Sequence, residues 1–584
     1  MIKLFKNLTK KDILLMLIIF VLIFAQVWLE LKMPDYMSEI TVLVQTKGSA
    51  MKDILVNGGY MLLCAFGSLI SAVITGYLIA TVASRFSMII RGKIFNKIED
   101  LSLETVKKYS TSSLITRTTN DVMHVEGFLG MGLQLLIKSP ITAIWAITKI
   151  STKSWQFSTV TALAVVILLS VLITTFSIVV PKFKIIQKLI DKINKVTREN
   201  LTGIKVIRAF NAEKYQEEKF EEVNADLTKK LLFNQKTFSI MSPAMYLVMH
   251  LLTLSIYLIG ANLIDKANIF DKVEIFGDMI VFSSYAMQII MSFLMLAMIF
   301  MMMPRAQVSA KRINEVLDEE ITIKDGKGLK AKETGLIEFK NVSFKYPDAE
   351  EYVLKDISFK VNKGETVAFI GSTGSGKSTL INLIPRFYEA TEGEVLVDNI
   401  NVKDYKLKEL NNKIGYVSQK AIMFNGTVKS NIDFGSSNRK ITDKEIKEAI
   451  EISQAKEFVE KMEDKYNSHI AQSGSNISGG QKQRLSIARA IAKNPEIYIF
   501  DDSFSALDYK TDYTLRKNIK KHTKDATTLI VAQRIGTIIH ADKIIVLKDG
   551  ESVGIGTHKE LLKTCDEYKQ IAYSQLTKEE LENE

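Results

Sequence analysis

Six stretches of the chain, at about 13–31, 59–83, 127–148, 157–180, 241–264 and 278–303, are each long and apolar enough to cross a lipid bilayer. Crossing the hydrocarbon takes roughly 20 mostly apolar residues in helical form. No other feature limits the possible folds as strongly. Lys10 and Lys11 precede the first stretch in the manner of a signal peptide. No small-residue cleavage site follows cleanly and five more stretches do, so the segment reads as a membrane anchor.

The connecting segments set the orientation. With the N-terminus inside, segments 1–12, 84–125 and 182–236 carry 24 Lys and Arg, against 7 in the outer segments 32–53, 149–155 and 262–275. Positive charge collects on the cytoplasmic side of membrane proteins, so the N-terminus is expected in the cytoplasm. The inner segments are long and polar, the outer ones short. Residues 84–110 and 182–236 keep apolar side chains at helical spacing, for instance Ile185, Ile186, Leu189, Ile190 and Ile193. The membrane helices are therefore expected to run tens of ångströms into the cytoplasm.

Composition agrees with a chain that is part membrane, part water-soluble. Hydrophobic residues make up 47% of the 584, too long a chain for one core. The net charge of +11 is accounted for by Lys and Arg in cytoplasmic loops, so no nucleic-acid partner is expected. Cys64 and Cys565 are the only cysteines and stand far apart, which leaves neither a disulfide framework nor a cysteine metal site.

Two membrane features keep alternative readings. Met287, Met291, Met295, Met298 and Met302 share one helix face. Soft, adaptable methionines suit a cavity for varied apolar ligands, and they suit ordinary packing or lipid contact equally. Lys138 lies in the middle of the third stretch, where a charge is a functional candidate or a snorkelling side chain in a wet cavity.

After residue 304 the character changes. Residues 319–335, rich in charge and glycine, read as a linker between a membrane domain at 1–318 and a second domain at 336–584. There, short apolar runs alternate with helical patterns, as in an α/β domain. Gly371, Ser372, Thr373, Gly374, Ser375, Gly376, Lys377 and Ser378 match the P-loop pattern, after an apolar strand and before a helix that opens near Thr379. Glycines let consecutive backbone N–H groups face phosphate, Lys377 neutralises β/γ charge, and Ser378 offers its hydroxyl to magnesium. Ile497–Phe500 reads as a buried strand that ends in Asp501, placed to hold magnesium, and Asp502.

Between these lies Ile477-Ser478-Gly479-Gly480-Gln481, followed by Lys-Gln-Arg-Leu-Ser-Ile-Ala-Arg-Ala. This segment resembles the signature of ATP-binding-cassette transporters, and the resemblance extends over essentially the whole chain. It implies a six-helix transmembrane domain with long cytoplasmic helix extensions, an α/β P-loop ATPase domain with a C-terminal helical tail, and a multi-pass place in the cell membrane with the ATPase domain cytoplasmic. It implies ATP and Mg2+ as cofactors and an ATPase-coupled transport activity. The signature of one half then faces the nucleotide on the other half's P-loop. Tyr346 resembles the aromatic that stacks on adenine, and Gln419 the glutamine that contacts magnesium and the membrane helices. Ser505–Asp508 resembles the loop crossing the dimer interface; Ser112–Asp121 and Asn211–Phe220 resemble the helices that dock onto ATPase domains.

The chain departs from the family at three places. Asp502 stands where a glutamate normally polarises the attacking water, and Gln533 where a histidine precedes Arg534. Asp is one methylene shorter than Glu, and a glutamine side chain can neither take a proton nor carry charge. Gln472-Ser473-Gly474 stands where many exporters have an acidic residue. With the signature intact apart from a mild Leu-to-Ile change at Ile477, the resemblance implies the degenerate-site subunit of a heterodimeric exporter of amphipathic compounds, paired with a second half-transporter in the bilayer. A homodimeric lipid or peptide exporter and an ATP-gated, non-pumping member are the alternatives.

Overall fold

The computed structural model describes residues 1–46, 48–151, 155–329, 331, 334–347, 349–435, 439–577 and 581. Parts of the expected linker (330, 332–333) and of two outer segments (47 and 152–154) lie outside the described residues. The chain separates into two compact units, one of residues 1–99 and 110–319, the other of residues 100–109 and 320–584.

In the first unit, six helices are long and apolar enough to cross a membrane. They include Lys10–Gln45, Met51–Asp100, Leu133–Ser151, Trp155–Ala209, Glu213–Lys266 and Ile269–Asp318. The fourth and fifth contain 55 and 54 residues, so each runs about 80 Å at 1.5 Å per residue. They pack along each other as far as the reversal at Phe210–Ala212, where Asn211 takes a left-handed φ of 50°. The first helix starts in a capping box of Thr9 and Asp12, and Arg85 of the second helix lies 3.3 Å from the fully buried Asp12. A buried carboxylate needs such partners.

The first outer segment differs from its expectation as a loop from residue 32. The first helix continues to Gln45 with Pro34 inside it. Asp35 is fastened on both oxygens, by Tyr285 Oη at 2.7 Å and Lys149 Nζ at 2.9 Å, which holds the polar extension against the third and sixth helices. The third passage carries a π-helical turn at Phe128–Gly132 just before Leu133.

The second unit is an α/β domain. Strands β1 (Ile337–Phe344), β2 (Leu354–Val361), β4 (Glu392–Val397) and β5 (Ile400–Asn401) form an antiparallel sheet in the order β2-β1-β4-β5. Strands β7 (Gly426–Thr427) and β8 (His469–Ile470) form a two-stranded sheet, and a six-stranded sheet has the order β12-β11-β3-β10-β9-β6. The strands of the larger sheet are β3 (Thr366–Gly371), β6 (Ile414–Val417), β9 (Ile497–Asp501), β10 (Thr527–Val531), β11 (Lys543–Lys548) and β12 (Glu551–Gly556). All neighbours in it are parallel except β11 and β12. Both faces of β9 and β10 are buried throughout, which is why they read as unbroken apolar runs. The carboxyl ends of β3, β6, β9 and β10 therefore open on one edge, where ligands of such sheets bind.

One expectation about docking is corrected. Ser112–Asp121 belongs to the membrane unit, where Arg117 pairs with Glu315 at 2.9 Å and Asp121 accepts from Ser309 at 2.6 Å. The segment that joins the α/β unit is Asp100–Tyr109. Its helix Leu103–Lys108 is capped by Ser102, and Lys107 Nζ donates to Tyr388 Oη at 2.8 Å. That bond raises the pKa of Lys107. Asn211–Phe220 lies in the membrane unit at the reversal between the fourth and fifth helices.

Candidate nucleotide-binding site

The P-loop connects β3 to the helix Lys377–Asn382. Glycine is required at two points. A Cβ on Gly371 would collide with the carbonyl oxygen of Leu547. Gly376 has φ +94°, and a Cβ there would lie 2.7 Å from Leu354 Cδ2. The left-handed turn at Gly376 lets the loop enter the helix with its N–H groups converging on one concavity. Ser372, Thr373 and Gly374 are exposed on the rim.

Lys377 folds back into this concavity. Its Nζ donates to Gly371 O at 2.9 Å and Ser372 O at 2.7 Å, and lies 3.3 Å from Ser375 Oγ. Burial lowers its pKa, while the carboxylates of Asp502 and Asp501 favour its charged form. An ammonium held only by neutral oxygens in a half-buried cradle is ready to exchange them for an anion.

The next oxygen cluster is built from three strand ends. Ser378 Oγ donates to Asp501 Oδ1 at 2.8 Å. Tyr416, at the end of β6, reaches Asp501 Oδ2 at 3.5 Å and Asn382 Oδ1 at 3.0 Å. Burial raises the pKa of Asp501, opposed first by the Ser378 hydrogen bond. Hydroxyl, carboxylate and amide oxygens are the donor kinds that hard Mg2+ prefers, and the Ser378, Asp501 and Gln419 side chains carry them.

Asp502 follows in a left-handed conformation, φ 45°, which Asp tolerates better than most residues. Its Oδ2 is claimed twice. Gln533 Nε2 donates to it at 2.9 Å and Gln419 Nε2 at 3.3 Å. Burial raises the pKa of Asp502, and the Gln419 bond opposes that shift first. The two family departures, Asp502 and Gln533, therefore meet in one hydrogen bond, with Gln419 as third member. Sequence reasoning singled out Asp502 and Gln533 as departures and Gln419 as a magnesium contact, and missed the direct contact of the three. It also missed Tyr416, although Tyr416-Val-Ser-Gln419 carried the signal, and Gln575. The Gln575 amide accepts from Ile535 N at 2.8 Å and donates to Gln533 O at 2.8 Å, steadying that loop from the C-terminal tail.

Tyr346 is half-buried, edge-on to Tyr388 with ring centroids 5.3 Å apart, and its Oη lies 3.0 Å from Thr379 Oγ1. The signature sits at the start of a different helix, Gly479–Lys493. Ser478 is its N-cap: Gln481 N donates to Ser478 Oγ at 3.3 Å, and Ser478 N to Gln481 Oε1 at 2.9 Å. This reciprocal box satisfies two end donors and leaves Ser478 and Gly479 exposed. Ser505 Oγ donates to Asp502 O at 3.0 Å, and Asp508 caps the helix Tyr509–His522, so the 505–508 loop leans on the Asp502 end.

Fold and site together define a membrane-embedded half joined to a P-loop ATPase. Residues 16–319 match the ABC transporter transmembrane region and residues 354–505 the ABC transporter ATP-binding family, so the chain belongs to the ABC transporters. An uncharacterized ABC transporter ATP-binding protein of Mycobacterium tuberculosis is 36% identical over 521 residues, covering 88% of this chain and 87% of that protein. The ATP-dependent lipid A-core flippase of Pseudomonas aeruginosa is 32% identical over 486 residues, covering 82% and 79%. A putative multidrug export ATP-binding/permease protein of Bacillus subtilis is 32% identical over 517 residues, covering 85% and 84%. The solved structure of a bacterial Atm1-family ABC exporter with ATP bound has the same fold, with a TM-score of 0.80 at 22% identity over 96% of this chain and 98% of that one. The protein is thus a multi-pass, ATP-binding half-transporter whose transport is coupled to ATPase activity, and half-transporters of this family work as dimers.

Proposed function

We propose that this chain is the degenerate-site subunit of a heterodimeric exporter of amphipathic compounds. The observation that carries the reading is the double claim on Asp502 Oδ2 by Gln533 and Gln419. A general base must present a free lone pair to the attacking water. Here one oxygen of the shorter carboxylate is held by two carboxamides, and neither can accept a proton in its place. Ser378, Asp501 and Gln419 would hold Mg2+, which when bound would supply charge to offset the phosphates. Lys377 exchanges its carbonyl partners for the β/γ-phosphates, and Tyr346 supports the adenine. ATP at this P-loop is held far longer than it is cleaved.

Ser478, Gly479, Gly480 and Gln481 serve the other half of the pair. Their box is complete and exposed, as a surface completing a partner's catalytic site requires. ATP binding closes the two ATPase domains, hydrolysis at the partner's site resets them, and Asn211–Phe220 docks on an ATPase domain to pass the movement on. The methionine face of the sixth helix fits varied amphipathic cargo, since Met287, Met291 and Met298 stay exposed while Met302 packs near Phe128. The Pseudomonas flippase and the Bacillus relative are named for lipid and drug export, and both are amphipathic cargoes.

The roles are separable by mutation in the reconstituted pair. Ser478→Arg abolishes turnover, and Asp502→Ala changes it by less than about threefold, because general-base work of roughly 10²–10⁴-fold is done elsewhere. The reverse ranking of the two variants would overturn the assignment.

A further inference from the structure

Two of the charge clusters in the membrane unit, around Asp35 and around Glu30, differ in completeness. Around Asp35 both carboxylate oxygens are taken, by Tyr285 and by Lys149, and Tyr285 is buried to 1% exposure. That cluster is a finished tie between helices. Around Glu30 the arrangement is lopsided. Three donors crowd onto one oxygen, Oε1: Lys138 Nζ at 2.9 Å, Gln26 Nε2 at 2.8 Å and Ser68 Oγ at 3.2 Å. Among the described residues no donor reaches Glu30 Oε2. Gln26 is only 4% exposed, and its Oε1 is buried without a hydrogen-bond partner. Gln26 and Glu30 lie one turn apart on the first helix and are hydrogen-bonded to each other, so the two bare acceptors sit on one helix face. Lys138 carries three N–H donors and spends one on Glu30. The Glu30 and Lys138 side chains keep 24% and 20% of their surface accessible, so the cluster is not sealed.

A buried acceptor left without a donor costs about 1–3 kcal/mol, and inside a membrane an ionisable cluster is rarely kept without use. We infer that Gln26, Glu30, Ser68 and Lys138 form a binding site for the ammonium group of an amphiphile. The ammonium N–H groups go to Glu30 Oε2 and Gln26 Oε1, Ser68 holds the carboxylate in place, and the remaining Lys138 donors can meet an anionic group where the molecule carries one. An N–H-bearing amine complements this site. A quaternary ammonium, which has charge and no donor, does not. The assignment rests on the transport reading only in calling the bound molecule cargo; binding itself needs no ATP turnover.

The test is therefore a binding titration on the full chain in neutral-lipid nanodiscs, followed by tryptophan fluorescence. Trp28 stands two residues before Glu30 and is partly exposed. Dodecylamine is compared with dodecanol and with dodecyltrimethylammonium. Dodecylamine is expected to bind at least about tenfold more tightly than either, the effect of charge-assisted hydrogen bonds at one site. Glu30→Gln should abolish that preference while dodecanol binding stays unchanged. Gln26→Leu, which leaves the Glu30–Lys138 ion pair intact, should reduce it severalfold. Equal binding of the three ligands, or a preference that survives both variants, would overturn the site. Lysophosphatidylethanolamine identifies the source of the ammonium. Binding weakened by Lys138→Met for this lipid but not for dodecylamine marks a phospholipid headgroup, and equal effects mark a simple amine; either result supports the ammonium site. A chain that proves catalytically competent alone would end the degenerate-site reading and leave these ratios untouched.

Discussion

The P-loop end and the signature end of the ATPase unit use the same device, backbone N–H groups gathered at the start of a helix, yet they are finished differently. At the signature, Ser478 and Gln481 close a reciprocal box on a 15-residue helix, so the surface is preformed. At the P-loop, Lys377 is spent on its own loop carbonyls, and Asp502 is spent on Gln419 and Gln533. The first surface is ready to act on a ligand brought by another molecule. The second must break internal hydrogen bonds to take a ligand, and its only carboxylate in the base position is short and held on one oxygen by two carboxamides. The contrast teaches that the two ends need not evolve together, because in a composite pair each completes a different site.

The sharpest way to break the contrast is to restore the missing groups. Asp502→Glu combined with Gln533→His should raise hydrolysis at this P-loop by about 10²-fold, measured with the partner's own site inactivated. No gain would mean that something other than these two residues limits the site. Next in size, Lys377→Ala should weaken ATP binding at this P-loop by about 10–100-fold, the worth of hydrogen bonds to a charged group, as read by photolabelling or calorimetry. An unchanged affinity would detach Lys377 from the phosphates. Gly376→Ala should destabilise the ATPase unit by about 1–3 kcal/mol in thermal unfolding, since its φ of +94° and the 2.7 Å approach to Leu354 leave no room for a methyl group. The smallest effect belongs to Gln575→Ala. Losing its bonds to the Gln533 loop should cost about 1 kcal/mol and leave the signature's service to the partner intact.

Much of this was legible in the amino-acid order because the constraints are local. Twenty apolar residues must span hydrocarbon, glycines at 371 and 376 must turn a phosphate loop, and the run 497–500 must be a strand buried on both faces. What escaped depends on pairings across long sequence separations. Glu30 lies 108 residues from Lys138, and only the fold brings them to 2.9 Å. The first helix passed beyond residue 31 because Asp35 found Tyr285 and Lys149, partners that no local pattern announces. The docking segment was placed about ten residues too late for a similar reason. Ser112–Asp121 has the polar, helical look of a surface element, whereas Asp100–Tyr109 is fastened by Lys107 to Tyr388, 281 residues away. At the site, the types of Asp502 and Gln533 were readable as departures, while their joint hold with Gln419 required the ends of three separate strands.

The central claim, that this chain keeps ATP and leaves the cleavage to another half, is tested most directly by measuring ATP turnover and ATP binding together on the purified full chain in lipid. Retained binding with hydrolysis near background, and turnover restored by a half-transporter carrying the glutamate and histidine, is the expected result. Brisk hydrolysis by the chain alone, with Asp502 and Gln533 in place, would contradict it.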